Sequence, residues 1–112
     1  MTVQQTGEER LVSHTKMVQA TTGGNTLLTV GPSRRLIITF LSMYNSHSAL
    51  NELTIEDGAS EVKYGPYGLN PKAGKEVVGT RPSPVIVIEV EGDVVLTTSD
   101  GNMEVVVTYH YE

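Results

Sequence analysis

The chain has 112 residues and a formal net charge of −5, with no cysteine, no tryptophan and a single phenylalanine. Without cysteine it has neither a disulfide framework nor a thiolate nucleophile, so one hydrophobic core has to hold it together. Its acidic balance and scattered lysines and arginines argue against a nucleic-acid partner, and its apolar runs are far too short to cross a membrane as helices.

Met1 to Glu9, MTVQQTGEE, is polar, shows no signal-peptide pattern, and reads as a flexible N-terminal arm ahead of one domain over residues 10–112. The arm either frays or orders on a neighbouring subunit. Arg10 to Ala20 alternates with two mixed faces, as in an edge strand, and TTGGN at Thr21 to Asn25 reads as a loop. Thr26 to Val30 is a short apolar strand stopped by Gly31-Pro32-Ser33. Arg34 to Tyr44 is a strand with Leu36, Ile38 and Phe40 on one face and Ile37, Thr39, Leu41 and Met43 on the other. Both faces are largely apolar, which predicts cover on both sides, one side by the core and the other by a loop or a partner chain.

Asn45 to Leu50 is a polar loop. Asn51 to Glu56 and Ala59 to Tyr64 flank Asp57-Gly58, and a two-residue hairpin loop there pairs Glu52 with Lys63, Leu53 with Val62 and Thr54 with Glu61. Gly65 to Gly79 is the longest irregular stretch, with one short strand at Glu76 to Val78. The last quarter holds three β-branched runs, PVIVIEV, VVLTTS and NMEVVVTYHYE. A hairpin at Asp100-Gly101 sets Thr98 against Met103, Leu96 against Val105 and Val94 against Val107, with Val95 and Val106 on the other face. A three-residue loop, Glu91-Gly92-Asp93, keeps Ile86, Ile88 and Val90 on the Leu96 face if the two runs share a sheet. They also fit opposite sheets.

About eight strands and no helix predict an all-β antiparallel β-sandwich of jelly-roll type. The expected core is Leu36, Ile38, Phe40, Leu53, Val62, Ile86, Ile88, Leu96, Val105 and Val107. Val85, Val87, Val95 and Val106 point away from it, and either a second layer or a subunit interface has to cover them.

The residue pattern points away from catalysis. His14, His47 and His110 lie far apart in no ligand spacing, and His110 is expected to be exposed or interfacial. Asp57, Asp93 and Asp100 lie outside any calcium-loop pattern. No serine sits in a nucleophile-elbow motif, and Gly23-Gly24 lacks the lysine and helix of a phosphate loop. The expectation is no catalytic residue, no cofactor and no metal. Tyr64-Gly65-Pro66-Tyr67-Gly68 is the most distinctive short motif. Tyr64 and Tyr67 either pack on the sandwich edge or form a contact for a partner protein or a sugar.

A polar arm (MTVQQTGEE), the stretch GPSRRLIITFLSMYN, the long loop GPYGLNPKAGKEVVGTRPSP and the closing run NMEVVVTYHYE together form a pattern. It resembles the accessory structural proteins of tailed-phage virions, the head decoration (cementing) proteins and small tail-associated domains. That resemblance implies a jelly-roll-like fold, a homo-oligomer with a trimer favoured, and a capsid protein as partner. It also implies a location in the virion, assembled in the host cytoplasm. The other reading is a module on a phage tail or similar assembly that binds a carbohydrate or a host surface.

Overall fold

The computed structural model describes residues 12–112, so the expected arm, together with Arg10 and Leu11, lies outside the described residues. Nine strands follow: β1 (His14–Ala20), β2 (Gly23–Val30), β3 (Leu36–Asn45), β4 (Asn51–Glu56), β5 (Val62–Leu69), β6 (Gly74–Val78), β7 (Ile86–Ile88), β8 (Gly92–Thr98) and β9 (Met103–Tyr111). The first sheet has the order β1–β9–β3–β6, and β7 also pairs with β3. β6 takes Phe40 to Tyr44 and β7 takes Leu36 to Ile38, so the two lie end to end along one side of β3. The second sheet has the order β2–β8–β4–β5. With β6 and β7 counted as one interrupted strand, this is the eight-strand jelly-roll order of an all-β protein.

Between the sheets, Leu36, Ile38, Leu41 and Met43 of β3 and Val105 and Val107 of β9 form one cluster with Leu53, Ile55, Val94 and Leu96. Each such buried side chain contributes about 1.5–3 kcal/mol of transfer free energy. Eight of the ten expected core residues are buried, the exceptions being Phe40 and Val62. Phe40 turns outward because β3 carries a bulge. Ile38 pairs with Tyr109 and Phe40 with Thr108, which leaves Thr39 as the extra residue. The alternation therefore changes phase, with Leu36 and Ile38 inward before the bulge and Leu41 and Met43 inward after it.

The Asp100-Gly101 hairpin does not form. Thr98 pairs with Leu53 in the second sheet, whereas Met103 pairs with Asn45 and Ala20 in the first. The two runs face one another across the core instead of lying side by side. Likewise β7 and β8 lie in opposite sheets, and Glu91-Gly92-Asp93 leads from one to the other. Strand also extends into two stretches expected to be loop, at Gly23–Asn25 and at Gly65–Leu69.

The Asp57-Gly58 hairpin does form, in another register. Glu56 pairs with Val62, Ile55 with Tyr64 and Leu53 with Tyr67. Val62 consequently points outward at 47% exposure, and Lys63 pairs with Glu61 at 2.7 Å instead of with Glu52. The loop is longer than two residues because Asp57 folds it around its own carboxylate. Oδ1 accepts from the Ala59 and Glu61 N–H groups at 2.8 and 3.0 Å. Gly58 is required by a close approach, since a Cβ there would stand 2.5 Å from the Glu91 carbonyl oxygen.

Two fully buried asparagines close one end of the sandwich. Asn45 Nδ2 donates to the Ala49, Leu69 and Asn70 carbonyls at 2.9, 2.9 and 3.1 Å. Asn51 Nδ2 donates to the Gly101 carbonyl at 2.9 Å, and Asn51 Oδ1 accepts from the Asp100 N–H at 3.0 Å. Asn51→Ala strands those backbone groups and is expected to lower the free energy of unfolding by about 1–3 kcal/mol. Urea denaturation measures this, and an unchanged midpoint would contradict the assignment.

Candidate interaction surface

Alternation along β9 sends Glu104, Val106, Thr108 and His110 to the outside of the first sheet. The register extends these positions into rows across the strands. Val106 lies between Met17 and Ser42, and Thr108 lies between Thr15 and Phe40, beyond which comes Val78. Met17 and Val78 are 77% and 73% exposed, and Val106 and Phe40 between them are half-buried. A diagonal apolar band thus crosses the face from one edge strand to the other. Tyr44 and Glu104 are neighbours one row away.

The outside of the second sheet differs. Its rows are Thr26–Val95–Glu56–Val62 and Gly24–Thr97–Thr54, so threonine and glutamate surround the half-buried Val95, and the exposed Val62 lies on the edge strand. Of the four valines expected to face outward, Val87, Val95 and Val106 do so, and Val85 packs against the core.

Tyr64 and Tyr67 come together at the edge of the second sheet. A three-residue step on β5, from Tyr64 to Tyr67, spans the two-residue step from Ile55 to Leu53 on β4, so the extra residue turns both rings to the same side. The rings stack with centroids 6.4 Å apart, and both pack against the core cluster. Lys75 Nζ lies 5.8 Å from the Tyr67 centroid. Burial, with Tyr67 alongside, raises the Tyr64 hydroxyl above its ordinary pKa.

The three histidines are dispersed. His14 packs on Tyr109 with ring centroids 5.6 Å apart, and His47 Nε2 lies 3.4 Å from Asp100 Oδ2. His110 is fully buried, contrary to an exposed position, beside its cross-strand neighbour Ile37. Its Nε2 lies 3.2 Å from Glu112 Oε2, and Nδ1 has no hydrogen-bond partner. Among the described residues no three His, Asp or Glu side chains converge on one point.

Two carboxyl groups are held below their ordinary range. Glu112 is lowered first by its hydrogen bond to Arg35 and then by His110. Asp57 is lowered first by the Glu61 N–H and then by the Ala59 N–H, against the opposing effect of burial. A lowered folded-state pKa gives stability that is complete above the unfolded carboxylate range and is lost as pH falls through the folded value. Asp57→Asn keeps an Oδ1 acceptor but cannot titrate. Its urea midpoint is therefore expected to fall less than the wild type's between about pH 7 and about pH 3. Equal falls would remove Asp57 from the acid response.

Sequence reasoning missed the outward band because the bulge at Thr39 hides the phase change that exposes Phe40. The available signs of it were the apolar character of both faces of Arg34 to Tyr44 and the outward position expected for Val106.

No family model and no curated protein sequence matches the chain. Among solved structures, a chain of the cyanophage Pam1 capsid is 14% identical, with 87% of this chain and 80% of that one covered and a TM-score of 0.43. PirA is 11% identical, covering 88% and 93%, with a TM-score of 0.41. A chain of the T13 particle of infectious bursal disease virus is 14% identical, covering 92% of this chain and 35% of that one, again with a TM-score of 0.41. The fold assignment rests on the strand order described above.

Proposed function

We propose that this chain is a non-enzymatic structural protein of a virion, a decoration or cementing subunit that stabilises a shell through protein–protein contacts. The observation that carries the proposal is the diagonal apolar band on the outside of the first sheet. Leaving Met17 and Val78 in water at 77% and 73% exposure is costly unless another surface covers them. A sheet face of this kind suits contact between rigid subunits, because its rows are fixed by backbone pairing and lose little entropy on docking. The outside of the second sheet has threonine and glutamate at its centre, around Val95, with Val62 at its edge, and in this reading it is the free face. In this reading the chain forms a symmetric homo-oligomer, a trimer, seated on capsid protein, and its location is the virion assembled in the host cytoplasm.

Light scattering after size exclusion tests the assembly directly. The expected mass is three times 12.1 kDa, and Val78→Glu is expected to reduce it to that of one chain without loss of the β-sheet circular dichroism. A wild-type monomer at every concentration would overturn the trimer. A trimer indifferent to Val78→Glu would place the interface elsewhere.

A further inference from the structure

Next to the apolar band, the outside of β1 and β9 holds a groove of about 390 Å3 lined by Met17, Val18, Gln19, Glu104, Val105 and Val106. Val105 is a core residue and Val18 packs against the core, so the groove has the paired backbone as its floor and the outward side chains as its walls. Met17 faces Val106, and Gln19 faces Glu104, in adjacent rows of the same register. One half of the groove is therefore a thioether and an isopropyl group, and the other half is an amide and a carboxylate. Glu104 is exposed and forms no ion pair among the described residues.

We infer that this groove receives an arginine or lysine side chain from the capsid protein on which the subunit is seated. The methylene stem lies along Met17 and Val106, and the cationic head meets the Glu104 carboxylate and the Gln19 amide oxygen. Long cationic side chains combine these two demands, since their stems bury well on apolar surface while the charge stays at a polar rim. Charge complementarity favours such an occupant over an apolar one, which would bury Glu104 without a counter-charge. It also disfavours a neutral polar segment, which would leave Met17 and Val106 facing amides. The inference rests on the reading of the first sheet as the assembly face and names the chemistry that the partner presents there.

The test uses n-butylguanidinium chloride as a stand-in for an arginine side chain, with n-butanol as the uncharged comparison, titrated into isotopically labelled full-length protein. The expected result is saturable NMR shifts at the Met17 and Val106 methyls and the Gln19 and Glu104 amides, at least threefold weaker for n-butanol. Glu104→Gln is expected to weaken n-butylguanidinium binding by a similar factor, and added salt to weaken it further. Shifts spread over the whole surface, shifts equal for the two probes, or shifts unaffected by Glu104→Gln would each overturn the inference, as would no shift at all. The readout is independent of oligomer mass, so a groove that fails this test leaves the trimer standing. A groove that passes stands even if the mass is that of one chain.

Discussion

The paired side chains of Asn45 and Asn51 are what the rest of the sandwich depends on. Both are fully buried, Asn51 Nδ2 lies 3.4 Å from Asn45 Oδ1, and between them they satisfy backbone groups from three separate connections. Asn45 holds the β3–β4 and β5–β6 links through Ala49, Leu69 and Asn70, and its own backbone pairs with Lys72 and Ala73. Asn51 holds the β8–β9 link through Asp100 and Gly101. A buried amide that is fully satisfied fixes one geometry, because each alternative strands several polar groups in a low dielectric. These links carry the chain from sheet to sheet, so the asparagines fix the end of the jelly roll where three crossovers gather.

That network also explains why an Asp-Gly pair became a crossover. A two-residue hairpin at Asp100-Gly101 would pair Ser99 with Asn102, yet here the Ser99 N–H donates to the Glu52 carbonyl in the second sheet at 2.9 Å, and the Asp100 N–H donates to Asn51 Oδ1. Gly101 is buried under the His47 ring, where the Cβ of any larger residue would overlap the ring atoms. Glycine serves there for room and not for a left-handed backbone, since Gly101 is not among the residues with positive φ.

Much of the fold was legible because alternation reports which face a residue occupies. Thr98, Leu96 and Val94 and their counterparts Met103, Val105 and Val107 were assigned to one side, and all six are buried. What alternation does not report is whether two runs lie beside each other or opposite each other, since both arrangements bury the same set. The sheet order was hidden for that reason, and with it the neighbours of the interior strands β3, β8 and β9. Bulges were hidden too, because a single extra residue at Thr39, or between Tyr64 and Tyr67, leaves no mark in composition. Of the candidate site, Tyr64 and Tyr67 were recognised as a pair and are one. The outward band was visible as a surplus of apolar residues on β3 and as the outward Val106, and Met17 and Val78, from distant strands, joined it through register alone.

The functional account therefore reduces to a contrast between two faces of one sandwich, one with an apolar band and a carboxylate-rimmed groove, the other with threonine and glutamate around Val95 and with Val62 at its edge. Its central claim is that the first face is covered in the native assembly. Paramagnetic relaxation by a soluble gadolinium chelate reads this directly at the Met17 and Val78 methyls, with the Thr26 and Thr97 methyls of the second sheet as internal references. The account predicts that Met17 and Val78 relax more slowly than the exposure of the single chain implies, and that the protection is lost on dilution. Methyls of the first sheet that relax as fast as their exposure in the single chain implies, at every concentration and in the presence of capsid protein, would contradict it.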